Sequence, residues 1–122
     1  MDSLPDALFR AAPEIRYVAL HRHGELQLAQ RPALRDASAT ESDRYEELLV
    51  NPALLVLTRQ RGSIDCGGLE YVLVRYGRFF QLVHPVDGGH VSVAIEPDAD
   101  LPALVDTVRD AARAYGLLPA AT

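Results

Sequence analysis

The stretch Cys66–Glu96 constrains the fold more than any other part of the chain. Leu69–Tyr76, Arg78–His84 and His90–Glu96 read as three consecutive antiparallel strands. Gly77 and the cluster Asp87-Gly88-Gly89 separate them, and glycine accepts the positive φ that tight hairpin turns demand. In the first strand Tyr71 and Leu73 point one way, while Val72, Val74 and Tyr76 point the other. In the third, Val91, Val93 and Ile95 share one face, and Ser92 and Ala94 the opposite one. Period-two patterns of this kind suit a sheet with at least one covered face. The first strand is apolar on both sides, so a single helix layer leaves one side bare. It needs a second covering element or a partner.

At 122 residues the chain is expected to form one domain, residues 1–122, with enough core to fold without metal or disulfide. Cys66 is the only cysteine, which excludes an internal disulfide and fits a reducing cytoplasm. The start Met1-Asp2-Ser3-Leu4-Pro5 does not read as a secretory signal, and no apolar run reaches membrane-spanning length. With a net charge of −5 and scattered arginines, nucleic acid and anionic membrane are poor partners.

Taken in order, Ser3–Ala12 reads as a short helix, with Ser3 as cap, Pro5 in the first turn and Pro13 as the stop. Ile15–His21 and Glu25–Gln30 read as a hairpin turning at His23-Gly24. Arg31–Ala39 is a polar surface loop. A second helical region follows, with Thr40 or Ser42 as cap. Its stripe is Tyr45, Leu48, Leu49, Pro52, Ala53, Val56 and Leu57, at three- and four-residue spacing through Asn51-Pro52. Proline predicts a kinked helix, or two helices with Asn51 capping the second, ending near Gly62. A buried strand through Ala53–Thr58 is the rival reading. Val50, Leu54 and Leu55 lie off the stripe, so the helix is apolar beyond one face and needs more than one neighbour. Ser63–Gly68 is a connector, and Leu101–Tyr115 a final helix stopped by Gly116.

No cluster points to catalysis, and no cofactor or metal is expected. His21 and His23 share a strand face but lack a third ligand, so they read as a solvated hairpin tip. His84 and His90 flank a turn and could face each other across it. Cys66 sits beside Asp65, which opposes a thiolate, and reads as idle. Neither Gly67-Gly68 nor Gly88-Gly89 forms a phosphate loop. Arg75 and Arg78 bracket Gly77 among Tyr76, Phe79 and Phe80, a composition common in protein interfaces. Glu46-Glu47 and Arg59/Arg61 put opposite charges at opposite ends of the middle helix, which suits antiparallel pairing of two copies and equally suits the helix dipole.

The order helix, two strands, helix, three strands, helix resembles the roadblock/dynein light-chain domain over nearly the whole chain. The residues that carry the resemblance are the helix Asp43–Arg61, the turn Cys66-Gly67-Gly68, the run Leu69–Gly77 and the closing Gly89–Ala94. Asn51-Pro52 departs from the uninterrupted second helix usual in that family. The resemblance implies an α+β, profilin-like fold: a five-stranded antiparallel sheet of order 2-1-5-4-3, the first and last helices on one face and the middle helix on the other. It also implies a non-enzymatic homodimer or heterodimer, paired through the middle helix and the edge strand after it. In this chain those elements are Tyr45–Leu57 and Leu69–Tyr76, with Tyr45, Leu49, Ala53, Val56, Tyr71, Leu73 and Arg75 as interface residues. The partner class it implies is a small Ras-like GTPase. The alternative is a monomeric small-ligand sensor with a pocket between sheet and middle helix.

Overall fold

A computed structural model describes residues 3–119 except 33 and 35. The chain runs α1 (Leu4–Ala11), β1 (Ile15–Arg22), β2 (Glu25–Gln30), α2 (Thr40–Tyr45), a π-helical turn (Glu46–Val50), α3 (Asn51–Asp65), β3 (Val72–Arg75), β4 (Phe80–Val86), β5 (Gly89–Ile95) and α4 (Leu101–Ala114). The strands form one antiparallel sheet in the order β2-β1-β5-β4-β3. This is the α+β sheet that the resemblance implies. The Arg31–Ala39 segment has no helix or strand among its described residues, and its residues 33 and 35 lie outside them.

The two faces of the sheet differ in chemistry. Ile15, Val18, Leu82, Val91, Val93 and Ile95 meet Leu4 and Leu8 of α1 and Leu104, Val105 and Val108 of α4 in an apolar core. Each fully buried aliphatic side chain there contributes about 1.5–3 kcal/mol. Ser3 Oγ accepts from the Asp6 N–H at 3.3 Å and starts α1. Asp100 does the same for α4 through the Ala103 N–H, and Gly116, at φ +73°, follows its C-terminal end. The opposite face carries Tyr17, Ala19, Ser92, Ala94 and Gln81, small or polar groups under the middle helix.

Several sequence expectations are corrected. Gly77 has no positive φ, because β3 and β4 are joined by the four residues Tyr76–Phe79, closed by Tyr76 N–H to Phe79 C=O at 2.9 Å, rather than by a tight two-residue turn. The positive φ values fall at His23 (51°) and Gly24 (81°) in the first hairpin, and at Gly88 (83°) in the last. β3 is shorter than Leu69–Tyr76, and β4 is shifted to Phe80–Val86. Neither Thr40 nor Ser42 caps the middle helix; Ala39 holds that position without a side-chain bond.

Residues 40–65 form one helix, neither split nor a strand. Asn51 does not cap a second helix; it is helical, at φ −65° and ψ −43°. The proline is accommodated by the π turn directly before it. Pro52 has no N–H to offer the Leu48 carbonyl, and its ring crowds that carbonyl. A wider turn, closed by Asn51 N–H to Glu46 C=O, absorbs the conflict. Ser63–Asp65 extends the helix beyond the expected end at Gly62. There a Cβ would meet the Gly68 backbone at 3.1 Å, so glycine lets the chain double back.

Candidate interaction surface

The middle helix is turned opposite to the usual sense. Its buried positions are Asp43, Glu47, Asn51, Leu55 and Gly62. Four-residue steps along an unbroken α-helix drift about 40° each around the axis. The wider π turn takes up part of that drift and keeps these side chains over the sheet.

Glu47 is the centre of the contact and is wholly buried. Its Oε2 accepts from the Tyr17 hydroxyl at 2.8 Å. Its Oε1 accepts from Asn51 Nδ2 and lies 2.8 Å from His90 Nε2. Asn51 Nδ2 also reaches Ser92 Oγ at 3.2 Å, and Gln81 Nε2 bonds the same hydroxyl. Burial first, and the Glu47 carboxylate second, push the Tyr17 hydroxyl far above its ordinary range. Asp43 accepts from Ser38 Oγ and from Gln30 Nε2, tying the helix start to β2 and to the preceding loop.

The apolar stripe therefore faces outward. Tyr45, Leu49, Val56 and Leu57 are 61%, 60%, 51% and 65% exposed, Ile64 still more so, and Ala53 lies among them. No charged residue occurs between Glu47 and Arg59. A contiguous exposed apolar strip of this kind is uncommon on the surface of a monomeric protein.

Tyr71, Leu73 and Arg75 are exposed but sit on the other side of the sheet. Tyr71 stacks near His84, with centroids 6.4 Å apart, and Leu73 lines a groove with Leu101 and Val105 of α4. The Arg75 guanidinium lies 4.9 Å from the Phe80 ring centroid. The seven interface candidates thus form two patches, one on each side of the sheet, with β3 as one of the two edge strands of the sheet.

Other candidates are dispersed. His84 and His90 do not face each other: His90 points to Glu47, and His84 meets Arg109 of α4. Glu47 is sealed and Glu46 accepts from the Tyr76 hydroxyl at 2.6 Å, so this pair offers no acidic end for helix pairing. Arg61 is engaged by Asp65 at 2.6 Å. Cys66 is exposed, with Sγ 3.4 Å from Asp65 Oδ1. Among the described residues no group of three or more His, Cys, Asp or Glu could hold a metal ion, and no helix is long and apolar enough to cross a membrane.

A cavity of about 330 Å³ lies between the sheet and the middle helix beside the π turn, where the ligand-sensor alternative expects a pocket; Tyr17, Asp43, Tyr45, Glu46, Tyr76 and Phe79 are among the residues that line it. Burial raises the Glu46 carboxyl above its usual range, with Glu47 and Asp43 adding to the effect against the Tyr76 bond. Burial and Glu46 push Tyr76 up to about 12.

No family model and no curated protein matches the sequence. Among solved structures, the chain is similar to a Roadblock/LC7 domain from Streptomyces avermitilis. The two share 19% identity over 94% of this chain and 96% of that one, with a TM-score of 0.68. At that identity the likeness speaks for the fold, and with the strand order and the flanking helices it establishes that this chain has the roadblock/LC7 fold.

Proposed function

We propose that the chain is a non-enzymatic regulatory or scaffolding protein of the cytoplasm that acts as a homodimer. The single observation that supports this most is the outward-facing stripe Tyr45, Leu49, Ala53, Val56 and Leu57 on a helix whose polar side is spent on the sheet. A second copy covers such a strip with an identical apolar strip. The short edge strand β3 offers backbone groups for continuation of the sheet. The resemblance supplies the partner class, a small Ras-like GTPase whose conformation the dimer biases.

The test is a pair of charged variants, Leu49→Asp and Val56→Asp. Both positions are exposed in the single chain, so the fold should tolerate either change. In a dimer each buries an unpaired charge, at about 3–5 kcal/mol. Monomers with unchanged melting behaviour support the reading, as does a GTPase from the host whose nucleotide turnover responds to the wild type alone. Variants that keep a dimer mass contradict the interface.

The cavity beside the π turn favours a second reading, a small-ligand sensor. Its volume of about 330 Å³ lies at the lower end of the ligand-site range. A metabolite that raises the melting temperature of a monomeric protein would favour it.

A further inference from the structure

An arginine-lined groove lies outside the surfaces described above. It is bounded by Arg59 of α3, the His84–Val86 end of β4, and Arg109 and Arg113 of α4, and encloses about 580 Å³. β3 pairs only with Phe80–Val83, so the strand edge at His84–Val86 is left without a sheet neighbour on that side. The groove occupies the gap. In a chain of net charge −5, three arginines from two helices on opposite faces of the sheet converge here.

These guanidiniums are poorly satisfied. Arg59 makes no hydrogen bond or ion pair among the described residues, and its side chain is exposed. Arg113 reaches Asp110 only at 3.8 Å, and its Nε is buried without a hydrogen-bond partner. Arg109 meets Glu70 at 3.7 Å, and that carboxylate is largely in water. Arg109 Nε also lies 3.4 Å from His84 Nε2. His84 Nδ1 is 2.8 Å from the Pro85 carbonyl and donates to it, which leaves Nε2 as an acceptor. Burial first, and then the charges of Arg109 and Arg113, hold the imidazole below its usual range, against the pull of the Pro85 carbonyl and Glu70. The groove thus holds unspent positive charge next to a neutral histidine. Asp87 and Glu70, both exposed at its rim, are the acidic groups among its lining.

We propose that this groove binds a small phosphate-bearing molecule, its oxyanion held by Arg59, Arg109 and Arg113. Guanidinium forks match the oxygen spacing of phosphate, and a charge-assisted bond to an oxyanion is about twice as strong as a neutral one. Drawing Arg113 towards a bound oxyanion gives its unpartnered Nε a partner. The groove has room for more than the phosphate, and Leu69, Val86 and Leu118 supply an apolar wall for the remainder of the molecule. The inference does not depend on self-association, because the arginines act within one chain.

The test is a titration of the full-length protein with inorganic phosphate, followed by NMR, with sodium chloride at matched ionic strength as reference. The expected result is a saturable shift of the His84 ring and the Arg109 and Arg113 side chains, with the His84 titration midpoint moving up. Acetate in place of phosphate separates the two oxyanion classes: weaker binding of acetate supports a phosphate site, and equal or tighter binding overturns it. Arg59→Gln, at an exposed position, and Arg109→Gln should each weaken phosphate on the order of tenfold, and Arg44→Gln on α2 should leave it unchanged. Arg59→Gln keeps the test open if Arg109→Gln fails to fold. Shifts that never saturate, that chloride reproduces, or that survive in Arg59→Gln at full strength overturn the proposal as an adventitious ion only.

Discussion

His90 Nε2 lies 2.8 Å from Glu47 Oε1, and both side chains are sealed from solvent at 2% and 0% exposure. One partner comes from the π turn and the other from β5, so the contact fixes the rotation of the middle helix on the sheet. A buried polar pair of this kind contributes more to specificity than to net stability, but removing one member strands the other. Glu47→Ala should therefore destabilise the protein by about 3 kcal/mol in urea unfolding. In a double-mutant cycle with His90→Leu, the two changes should cost less together than their sum, by about 1 kcal/mol or more. Additive costs would mean that the pair is not coupled.

Gly89 and Gly77 separate two reasons for a glycine. A Cβ at Gly89 would fall on the His21 carbonyl of the paired strand, so Gly89→Ala must push β1 and β5 apart. We expect a loss of about 3 kcal/mol or a failure to fold. At Gly77 a Cβ meets open space and φ is not positive, so Gly77→Ala should stay within about 0.5 kcal/mol of the wild type. Thermal unfolding of the two variants checks both.

Histidine burial sets a pH dependence. His84 is held below its usual range by burial and two arginines, and His21 by burial and His90. Each takes up a proton less readily in the fold than in the unfolded chain, whose histidines titrate near 6.5. Stability therefore falls as pH drops below about 6.5, because the unfolded state binds more protons. Glu46 acts in the opposite sense: its raised carboxyl favours the fold at low pH, and that contribution is lost as pH rises through its folded value. Comparing His84→Gln with the wild type isolates the first effect. Between pH 7 and pH 5 the variant should lose less stability, and an equal loss would show that His84 does not titrate differently on folding.

The sequence disclosed the strands and three helical regions well, because Val91, Val93 and Ile95 alternate cleanly and Ser3, Asp100, Gly24 and Gly116 mark ends with their own chemistry. Its periodicity disclosed the helix stripe but not its direction, which only the resemblance implied. Periodicity shows that Tyr45, Leu49 and Val56 share a side, and cannot say whether that side meets the sheet or the solvent. The clue lay in two places far apart in sequence: Asp43, Glu47 and Asn51 four residues apart on the helix, and Tyr17, His90 and Ser92 on the sheet. The arginine groove was hidden for the same reason, since Arg59 and Arg109 are brought together only by the fold. Gly77 misled because a glycine between two strands resembles a tight turn, while the connection there is four residues long.

If a second copy covers the outward apolar stripe, the wild-type protein is a dimer in solution. Light scattering of the purified protein across a dilution series decides this. The expected mass is twice that of the 13.4 kDa chain, maintained at micromolar concentration and halved in Val56→Asp. A mass of one chain at every concentration would contradict it.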